Sequence, residues 1–387
     1  MMHSLSRILE IVATIGSLAS GCYYLICLWS AWKFLRERAG RDIGTNQVFP
    51  RVSILKPLKG VDPDIYQSFR SHCLQQYPEY EIVFGVSDAN DPAIASVEQV
   101  KKEFPQKAIR VMICSDRIGP NIKVSNLEQM AQGSRYEFIV VNDSDIKVEP
   151  DYLTRVVAPL NHEQIGMVTC LYRGVAAPTI GSQLESLGIS TDFCAGVLVA
   201  RQLEGGLHFG LGSTLALRRE ELIRIGGFRA IVDFLADDYE LGRRICDLGF
   251  KVALSDVVVE THLPAYRFSD FLKHQLRWAR GVRDARPGGY FGLIFTFGLA
   301  WALLDLFATS GSGWGWGILA SILVLRFAVA LVTGEAVLED RQVRRFLWLL
   351  PLRDLIATGV WMASFVGQTV TWRGDRFRLK KGRLIPI

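Results

Sequence analysis

The sequence predicts an α/β protein whose mostly parallel sheet domain is held at a membrane by apolar segments near both ends of the chain. Three features lead to this prediction. Residues 11–32 carry no charge, residues 50–265 alternate short apolar runs with amphipathic stretches, and residues 291–368 are again mainly apolar. Alternating strands and helices favour a parallel sheet covered on both faces, and a long uncharged stretch is typical of a membrane span.

The composition excludes several classes of protein. The 387 residues are 49% apolar and 21% charged, too apolar for an ordinary soluble enzyme and too charged for a pure membrane bundle. Such a chain is neither intrinsically disordered nor a small disulfide scaffold. A net charge of +5 gives no indication of nucleic acid as a partner. The seven cysteines form no CxxC pair, so zinc and a disulfide framework lack support and a reduced, cytosol-facing domain is expected.

The first apolar segment predicts a retained membrane anchor. As a helix, residues 11–32 span about 33 Å, enough to cross a bilayer. Only Arg7 is a firm positive charge before the segment, whereas a basic cluster follows it, made of Lys33, Arg36, Arg38 and Arg41. The positive-inside rule then places the N-terminus outside and the next domain in the cytosol. A cleaved signal peptide, or a lipoprotein box ending at Cys22, fits less well because the apolar segment continues past Cys22.

Residues 50–265 predict the globular domain. The candidate strands are Val52–Leu55, Glu81–Ser87, Ile109–Cys114, Tyr136–Asn142, Gly166–Leu171 and Lys251–Leu254. The candidate helices are Asp64–Gln76, Pro92–Phe104, Val124–Gln132, Pro150–Leu160, Ile180–Val199 and Asp238–Leu248. Ligands of such sheets bind beyond the carboxyl ends of the strands, so polar residues that follow a strand are candidates for a site.

The C-terminal region predicts further membrane contact. Residues 266–289 place six basic residues among apolar ones, which is typical of an amphipathic helix on a membrane surface. Residues 291–309 and 314–333 form a hydrophobic hairpin around a Gly-rich turn. Its two charges, Asp305 and Arg326, lie at different depths along the hairpin, so we expect that they do not pair.

The last apolar stretch, residues 346–368, predicts a broken, re-entrant or interfacial segment. It contains Pro351 and the charged pair Arg353–Asp354. If it crossed the membrane, the basic tail that includes Arg373 would lie outside, against the positive-inside rule. Four regions result: an anchor and basic linker (1–49), a cytosolic domain (50–265), an interfacial helix (266–289), and a membrane region with a basic tail (290–387).

Two carboxylates directly follow a predicted buried strand. Asp143 and Asp145 are two residues apart, and in an extended backbone residues two apart point the same way. They can therefore converge on one hard cation such as Mg²⁺ or Mn²⁺, which also takes phosphate oxygens. A solvated strand end is the alternative, because a DxD pattern is common.

Three other places could carry chemistry. Asp88 lies at the end of a strand, where its carboxylate can accept a hydrogen bond from a nucleobase or ribose. Alternatively, it forms an Asx turn. Asp237 and Asp238 lie at the start of a helix. One of them can act as a general base, because the negative charge of its neighbour raises its proton affinity. Alternatively, both carboxylates only interact with the helix dipole. The basic helix carries His274, Arg277 and Trp278. The arginine can bind a diphosphate and the tryptophan can stack on a sugar ring, but both residues suit membrane-surface anchoring equally well.

In this order, the four motifs resemble the GT-A glycosyltransferases of the inverting family 2 type, with a Rossmann-like sheet. A closer resemblance is to the ceramide glucosyltransferase family, including the bacterial hopanoid-associated glycosyltransferases. It rests on LKPLKGVDP at 55–63, DPAI at 91–94, NIKVSNL at 121–127, ADDY at 236–239, LRW at 276–278 and TWRGDRFRL at 371–379.

The resemblance implies a role for each motif. It implies that Asp238 is the catalytic base and that Asp143 and Asp145 face the diphosphate and its divalent metal, Mg²⁺ or Mn²⁺. It implies that Asp88 contacts uridine, and that Arg277 and Trp278 line the phosphate and acceptor end. The full set of substrate-binding residues that it implies is Asp88, Lys123, Asp237, His274, Arg277 and Trp278.

The implied function is transfer of one sugar, with inversion, from a UDP-sugar, UDP-glucose favoured, to the hydroxyl of a ceramide-type membrane lipid. Two departures from the family pattern leave the acceptor open: Asp145 stands where ceramide enzymes have Gly, and His274 occupies the first position of Q/RxxRW. The alternatives are a hopanoid-lipid N-acetylglucosaminyltransferase, a processive polysaccharide synthase and an inactive lipid-binding scaffold. In each case we expect an integral membrane protein whose principal domain faces the cytoplasm.

Overall fold

The computed structural model describes residues 2–40, 48–372 and 374–387. Arg41 and Arg373, which the topology prediction includes, lie outside the described residues. The strands are β1 (Val52–Pro57), β2 (Tyr80–Val86), β3 (Ala108–Ile113), β4 (Phe138–Val141), β5 (Ile146–Lys147), β6 (Ile165–Val175), β7 (Leu215–Arg218), β8 (Lys251–His262), β9 (Thr369–Trp372), β10 (Asp375–Lys380) and β11 (Arg383–Pro386).

The helices cover both the predicted α/β region and the apolar segments. They are α1 (Met2–Ala39), α2 (Ile65–Cys73), α3 (Ala93–Glu103), α4 (Ile122–Gly133), α5 (Tyr152–Val157), α6 (Ile180–Gly188), α7 (Cys194–Leu203), α8 (Arg219–Arg224), α9 (Asp237–Asp247), α10 (Phe268–Ala285), α11 (Pro287–Gly292), α12 (Gly298–Ala308), α13 (Gly313–Leu331), α14 (Gln342–Phe346) and α15 (Leu350–Ser364). A π-helical turn, Ile189–Phe193, divides the single helix predicted at 180–199 into α6 and α7.

The central sheet is mostly parallel, as the sequence predicts, and contains two antiparallel strands, β7 and β5. Its strand order is β3-β2-β1-β4-β7-β6-β8-β5. Strands β1 to β4 are parallel, but β7 runs antiparallel to both β4 and β6, and β5 runs antiparallel to β8. The sequence prediction missed β7, which has only four residues. As an antiparallel strand it also lacks the helical crossover whose pattern indicates a parallel strand.

Packing within the chain forms two units. One contains Met1–Gly40, Ala176–Gln202 and Ala265–Thr371, and the other contains Arg41–Val175, Leu203–Pro264 and Trp372–Ile387. We call them the helical unit and the sheet unit. The predicted boundaries at residues 49, 265 and 289 stay a prediction.

The core of the sheet unit lies around β1 and β2. Every residue of these two strands is buried, as expected for strands covered on both faces. The rings of Phe69 and Phe84 pack against each other with centroids 4.5 Å apart. This buried framework fixes the positions at which the strands end, and therefore the positions of the polar residues that follow them.

The helical unit contains the candidate membrane spans. Among the described residues, three helical segments are long and apolar enough to cross a membrane: Ser6–Ala39, Gly313–Val337 and Gln342–Ser364. A fourth segment is bent by 51° between Pro287–Thr296 and Gly298–Ala308. The bend therefore lies in the first arm of the predicted hairpin. In the last apolar segment, Pro351 stands in the first turn of α15, where proline is compatible with a helix.

The charges inside these segments have separate partners. Asp305 accepts a hydrogen bond from the Thr14 hydroxyl at 2.5 Å. Arg326 lies 2.5 Å from an oxygen of Asp192 and 2.8 Å from an oxygen of Asp354. The prediction that Asp305 and Arg326 do not pair is confirmed, and the charge of Asp354 is explained by its ion pair.

Candidate active site

The site in the sheet unit starts where β1 and β4 end side by side. The Asn142 N–H donates to the Leu55 carbonyl at 3.2 Å, which brings the residues after the two strands together. The Lys56 side chain is fully buried, and its Nζ donates to the main-chain carbonyl of Asp143 at 2.9 Å. Burial lowers the pKa of Lys56 to about 7, against the opposing effect of nearby carboxylates.

Helix α4 brings a second lysine to the same sheet edge. The Asn121 side chain caps the helix by accepting from the Val124 N–H at 3.1 Å. In the first turn, Lys123 Nζ lies 2.7 Å from Asp143 Oδ1 and 3.3 Å from Asp237 Oδ2. Burial disfavours the ammonium group, but the surrounding carboxylates outweigh it and hold the pKa of Lys123 above its usual value.

The first turn of α9 carries the two carboxylates that the sequence singled out. The Asp238 carboxylate accepts hydrogen bonds from the main-chain N–H groups of Gly212 and Tyr239, each at 2.8 Å. Burial, followed by the negative charge of Asp237, raises the pKa of Asp238 to about 6, while Lys123 opposes the shift. A carboxylate with this pKa is ionised near neutral pH and has more affinity for a proton than an ordinary aspartate.

A glycine keeps the space between these carboxylates open. A Cβ on Gly212 would stand 3.3 Å from Asp238 Oδ2 and 3.4 Å from Asp143 Oδ2. Gly212 is not among the described glycines with positive φ, so space rather than backbone conformation favours glycine here. The two carboxylates therefore face a common opening that a side chain at residue 212 would narrow.

Asp145 lies deeper than Asp143 and suits a cation. Its Oδ2 accepts from the Thr261 hydroxyl at 2.5 Å. Burial, then the charges of Asp143 and Asp62, raise the pKa of Asp145 to about 6 against that hydrogen bond. Among the described residues no cluster of three or more acidic, His or Cys side chains forms a metal cage. Two carboxylates with repelling charges fit Mg²⁺ or Mn²⁺ when a phosphate supplies further oxygens.

Asp88 lies apart from this cluster. It follows β2, next to β1 in the sheet, and its side chain is exposed. Its Oδ1 accepts from the Asn90 N–H at 2.8 Å, which is the Asx-turn geometry considered from the sequence. The described residues give Asp88 no contact with Lys123, Asp143 or Asp238, so its role toward uridine stays a prediction.

The remaining predicted residues lie on α10 in the helical unit. His274 Nδ1 is 2.9 Å from Glu185 Oε1, and the His274 ring lies 5.0 Å from the Trp278 ring, centroid to centroid. Gln275 Nε2 donates to the other oxygen of Glu185 at 3.0 Å. The unusual His-Gln pair at the start of this motif thus shares one buried carboxylate. Arg277 is partly buried on the same helix.

The sequence left Lys56, Gly212 and Thr261 without a role. For Lys56 there was a signal, because a lysine at the end of a mainly apolar strand has to find buried partners. For Gly212 and Thr261 no local pattern indicates a role, since their partners are 26 and 116 residues away.

The comparisons with known proteins agree with one another. The sequence pattern that defines glycosyl transferase family 21 matches residues 12–385. Ceramide glucosyltransferase 3 of Caenorhabditis elegans is 24% identical over 97% of this chain and 83% of the relative, and ceramide glucosyltransferase 1 of the same organism is 22% identical over 94% and 80%. A mannosyltransferase from Pyrobaculum calidifontis, solved with GDP-Man and Mn²⁺, shares the fold with a TM-score of 0.53, 19% identity, and coverage of 92% and 99%.

Proposed function

Because this chain belongs to glycosyltransferase family 21 and has the GT-A fold, we propose that it transfers one sugar from a UDP-sugar to a membrane lipid. UDP-glucose is the favoured donor, and the primary hydroxyl of a ceramide-type lipid is the favoured acceptor. The ceramide glucosyltransferases named above support the acceptor class. The candidate membrane spans support an integral membrane protein, and the basic cluster after the first span supports a catalytic unit that faces the cytoplasm.

The proposed reaction is a single in-line displacement. The lipid hydroxyl oxygen attacks the anomeric carbon while the bond from that carbon to the UDP oxygen breaks. The hydroxyl proton passes to the Asp238 carboxylate, and UDP leaves with the bonding electrons. One displacement inverts the configuration at the anomeric carbon. The two N–H groups that hold Asp238 leave its carboxylate fixed in orientation for this transfer.

The departing UDP develops negative charge that has to be balanced. Asp143 and Asp145 would hold a divalent cation together with the diphosphate, and such a cation stabilises charge on the leaving oxygen. Lys123 keeps its positive charge and fixes Asp143 and Asp237, so the cluster is preorganised before the donor binds. Arg277 is proposed as a further partner of the diphosphate, and Trp278 as part of the acceptor end.

One observation carries this proposal most directly. Asp143, Asp237 and Asp238 converge with Lys123 at the carboxyl end of the central sheet, and Asp143 and Asp238 border the opening above Gly212. An acid–base group and a candidate metal ligand thus face one space, as an in-line transfer between a hydroxyl and a diphosphate sugar requires.

Replacing the proposed base tests its role. Asp238→Asn keeps the side-chain shape and loses the proton acceptor, so we expect kcat to fall by about 10²–10⁴-fold while UDP binding is retained. The measurement is glucosylceramide formation in detergent or liposomes with UDP-glucose and ceramide. Asp247→Asn, an exposed change on the same helix, is the matched control. Near-normal product formation by Asp238→Asn excludes this residue as the base.

A matrix of donors and acceptors tests the substrates. Wild-type protein is incubated with UDP-glucose or UDP-N-acetylglucosamine and with ceramide, a hopanoid alcohol or diacylglycerol, and products are identified by mass spectrometry. We expect one glucose on ceramide. N-acetylglucosamine on the hopanoid would replace the proposed substrates, a ladder of longer products would indicate a polysaccharide synthase, and no transfer in any combination would contradict the function.

A further inference from the structure

The C-terminal hairpin of the sheet unit, made of β10 and β11, has a well-defined geometry. Its turn consists of two residues, Lys381 and Gly382, with positive φ angles of 52° and 77°. Turns of this kind match the right-handed twist of the strands that they join. One face of the hairpin carries three buried side chains, those of Phe377, Leu379 and Leu384. The turn and this buried face together fix the position of β11.

Strand β11 also pairs with a loop, residues 232–236, that leads directly into α9. The Leu384 N–H donates to the Asp233 carbonyl at 2.7 Å, and the Leu235 N–H donates to the Gly382 carbonyl at 3.1 Å. Because β11 is the edge strand of its three-stranded sheet, the loop pairs with the edge that β10 leaves open. The C-terminal strand therefore holds the chain just before α9.

A side chain of the loop makes a second link between β11 and α9. Phe234 lies opposite Arg383 of β11 as an antiparallel bridge, and the Arg383 guanidinium carbon is 5.4 Å from the centroid of the Phe234 ring. The guanidinium carbon of Arg244, on α9, is 5.9 Å from the same centroid. Guanidinium groups at such distances are attracted to an aromatic ring. The ring thus connects β11 to the helix that begins with Asp237 and Asp238.

Helix α4 holds the same loop through its capping residue. Asn121 is fully buried, its N–H donates to the Val232 carbonyl at 3.0 Å, and its Nδ2 donates to the Phe234 carbonyl at 2.8 Å. The carbonyl between these two, that of Asp233, is the one that β11 binds. Successive carbonyls of an extended segment point to opposite sides, so α4 and β11 hold the loop from opposite sides. The same helix carries Lys123, which contacts the first residue of α9.

We propose that β11 positions the proposed base. By holding the 232–236 loop against the N-terminal end of α4, the strand fixes where α9 begins and how Asp238 is directed at the lipid hydroxyl. The placement of a reacting group is worth a large factor in rate, on the order of 10²-fold for about 1 Å. The inference rests on the proposed function and assigns a positioning role in that reaction to the C-terminal strand.

Two substitutions at one position test this role. Leu384→Ala and Leu384→Pro both lose the buried side chain, but proline also lacks the N–H that the Asp233 carbonyl accepts. This N–H points away from β10, and proline is tolerated in an edge strand at such a position. We expect kcat for Leu384→Pro to be about tenfold or more below that of Leu384→Ala, with the KM values for UDP-glucose and ceramide equal within about twofold.

The measurement is glucosylceramide formation by the full-length variants in one detergent, with the wild-type protein assayed alongside. A strand that only stabilises the fold would lower the amount of active protein in both variants without this difference in kcat. Equal kcat values for the two variants would therefore overturn the inference. Absence of transfer by the wild-type protein would instead contradict the proposed function.

A disulfide across the bridge tests the same contact without a proline. Phe234→Cys and Arg383→Cys together place two thiols on a bridge pair that two hydrogen bonds flank. Such pairs have Cα atoms about 4.5 Å apart, within the range of a disulfide. The background is Cys22→Ser, since Cys22 is the exposed native thiol among the described cysteines, and this background protein, oxidised in the same way, is the matched control.

The reduced double variant lacks the Phe234 ring between β11 and α9, whereas the oxidised form joins β11 to the loop covalently. We expect oxidation to raise kcat about twofold or more at unchanged KM, and a reductant to reverse the gain. An unchanged or lower kcat in the crosslinked protein would overturn the inference, since a strand that positions the base has to stay on the loop during turnover.

Discussion

At the scale of single residues, the site depends on an imbalance of charge. One ammonium group, Lys123, lies among Asp143, Asp237 and Asp238. Because Lys123 contacts the first two directly, their charges are compensated, whereas Asp238 is held by main-chain N–H groups. A buried carboxylate with this weaker compensation has the greater affinity for a proton, which is what a base needs.

The raised pKa of Asp238 predicts a particular pH dependence. Below about pH 6 the carboxylate is protonated and cannot accept the hydroxyl proton, so kcat/KM falls on the acid side with an apparent pKa of about 6. This fall in kcat/KM is the acidic limb of the pH profile, and an ordinary aspartate would place it near pH 4. Lys123→Met removes a charge that lowers the pKa of Asp238, so we expect its limb to move to higher pH. A limb near pH 4 in the wild-type protein, or a shift toward lower pH in the variant, contradicts this assignment.

The opening above Gly212 predicts the effect of one methyl group. Gly212→Ala places a Cβ 3.3 Å from Asp238 Oδ2 and 3.4 Å from Asp143 Oδ2, so the Asp238 carboxylate has to shift by a few tenths of an ångström. Misplacement of a reacting group by about 1 Å costs on the order of 10²-fold in rate, and we expect this smaller shift to lower kcat about severalfold. The melting temperature in detergent should change little, since the backbone of Gly212 suits alanine. A variant with wild-type kcat would show that the opening is not used.

At the scale of the elements, α10 does more than present a basic surface. Arg280 donates to the carbonyls of Val366 and Thr369 at 2.6 and 2.7 Å. Arg283 donates to the carbonyl of Ser364 and, at 3.0 Å, to that of Gly367. Two of the basic residues predicted for the membrane surface therefore bind the chain that leaves α15, where carbonyls lack helical partners.

These contacts predict that two basic residues of α10 contribute unequally to stability. Arg283→Ala removes charged donors from main-chain carbonyls and should lower the free energy of unfolding by about 1–3 kcal/mol. Lys273→Ala, at a largely exposed lysine on the same helix, should change it by less than about 0.5 kcal/mol. Thermal unfolding of the purified variants in one detergent measures both. Equal effects would mean that the arginine acts only through its charge at the surface.

At the scale of the whole molecule, the C-terminal tail constrains the topology. In the sheet unit, Leu384 N–H donates to the Asp233 carbonyl at 2.7 Å, and Leu235 N–H donates to the Gly382 carbonyl at 3.1 Å. The tail therefore packs on the loop just before Asp237 and lies on the same side of the membrane as the sheet. It follows that the chain between residues 265 and 372 crosses the membrane an even number of times, so its candidate segments cannot all be spans.

Labelling from one side of the membrane tests this parity. Single cysteines replace Ser6, Lys102 or Lys380, all exposed, in a Cys22→Ser background, since Cys22 is the exposed native thiol among the described cysteines. A membrane-impermeant maleimide is applied to sealed vesicles of known orientation. We expect Lys102→Cys and Lys380→Cys to react from the cytoplasmic side and Ser6→Cys from the other. Reaction of the residue 102 and residue 380 cysteines from opposite sides would contradict the tail placement.

The sequence by itself determined the features that depend on neighbours along the chain. A charge-free stretch predicts α1, short apolar runs predict β1 to β4, and carboxylates that follow a strand or open a helix predict Asp143 and Asp238. The predictions of α1 and of β1 to β4 succeed because burial and helical or extended periodicity leave their pattern in consecutive residues. The roles of Asp143 and Asp238 stay a prediction.

The tertiary structure alone decided which distant groups meet. It placed β7 antiparallel between β4 and β6, and Lys123 against Asp237. It also left Gly212 without a side chain between two carboxylates, and paired Arg326 with Asp192 and Asp354. Each of these contacts joins residues far apart in sequence, and its energy depends on desolvation and charge at one point in space. No local pattern records such a quantity, so the charge balance of the candidate site and the ion pairs of Arg326 emerge only when the chain is folded.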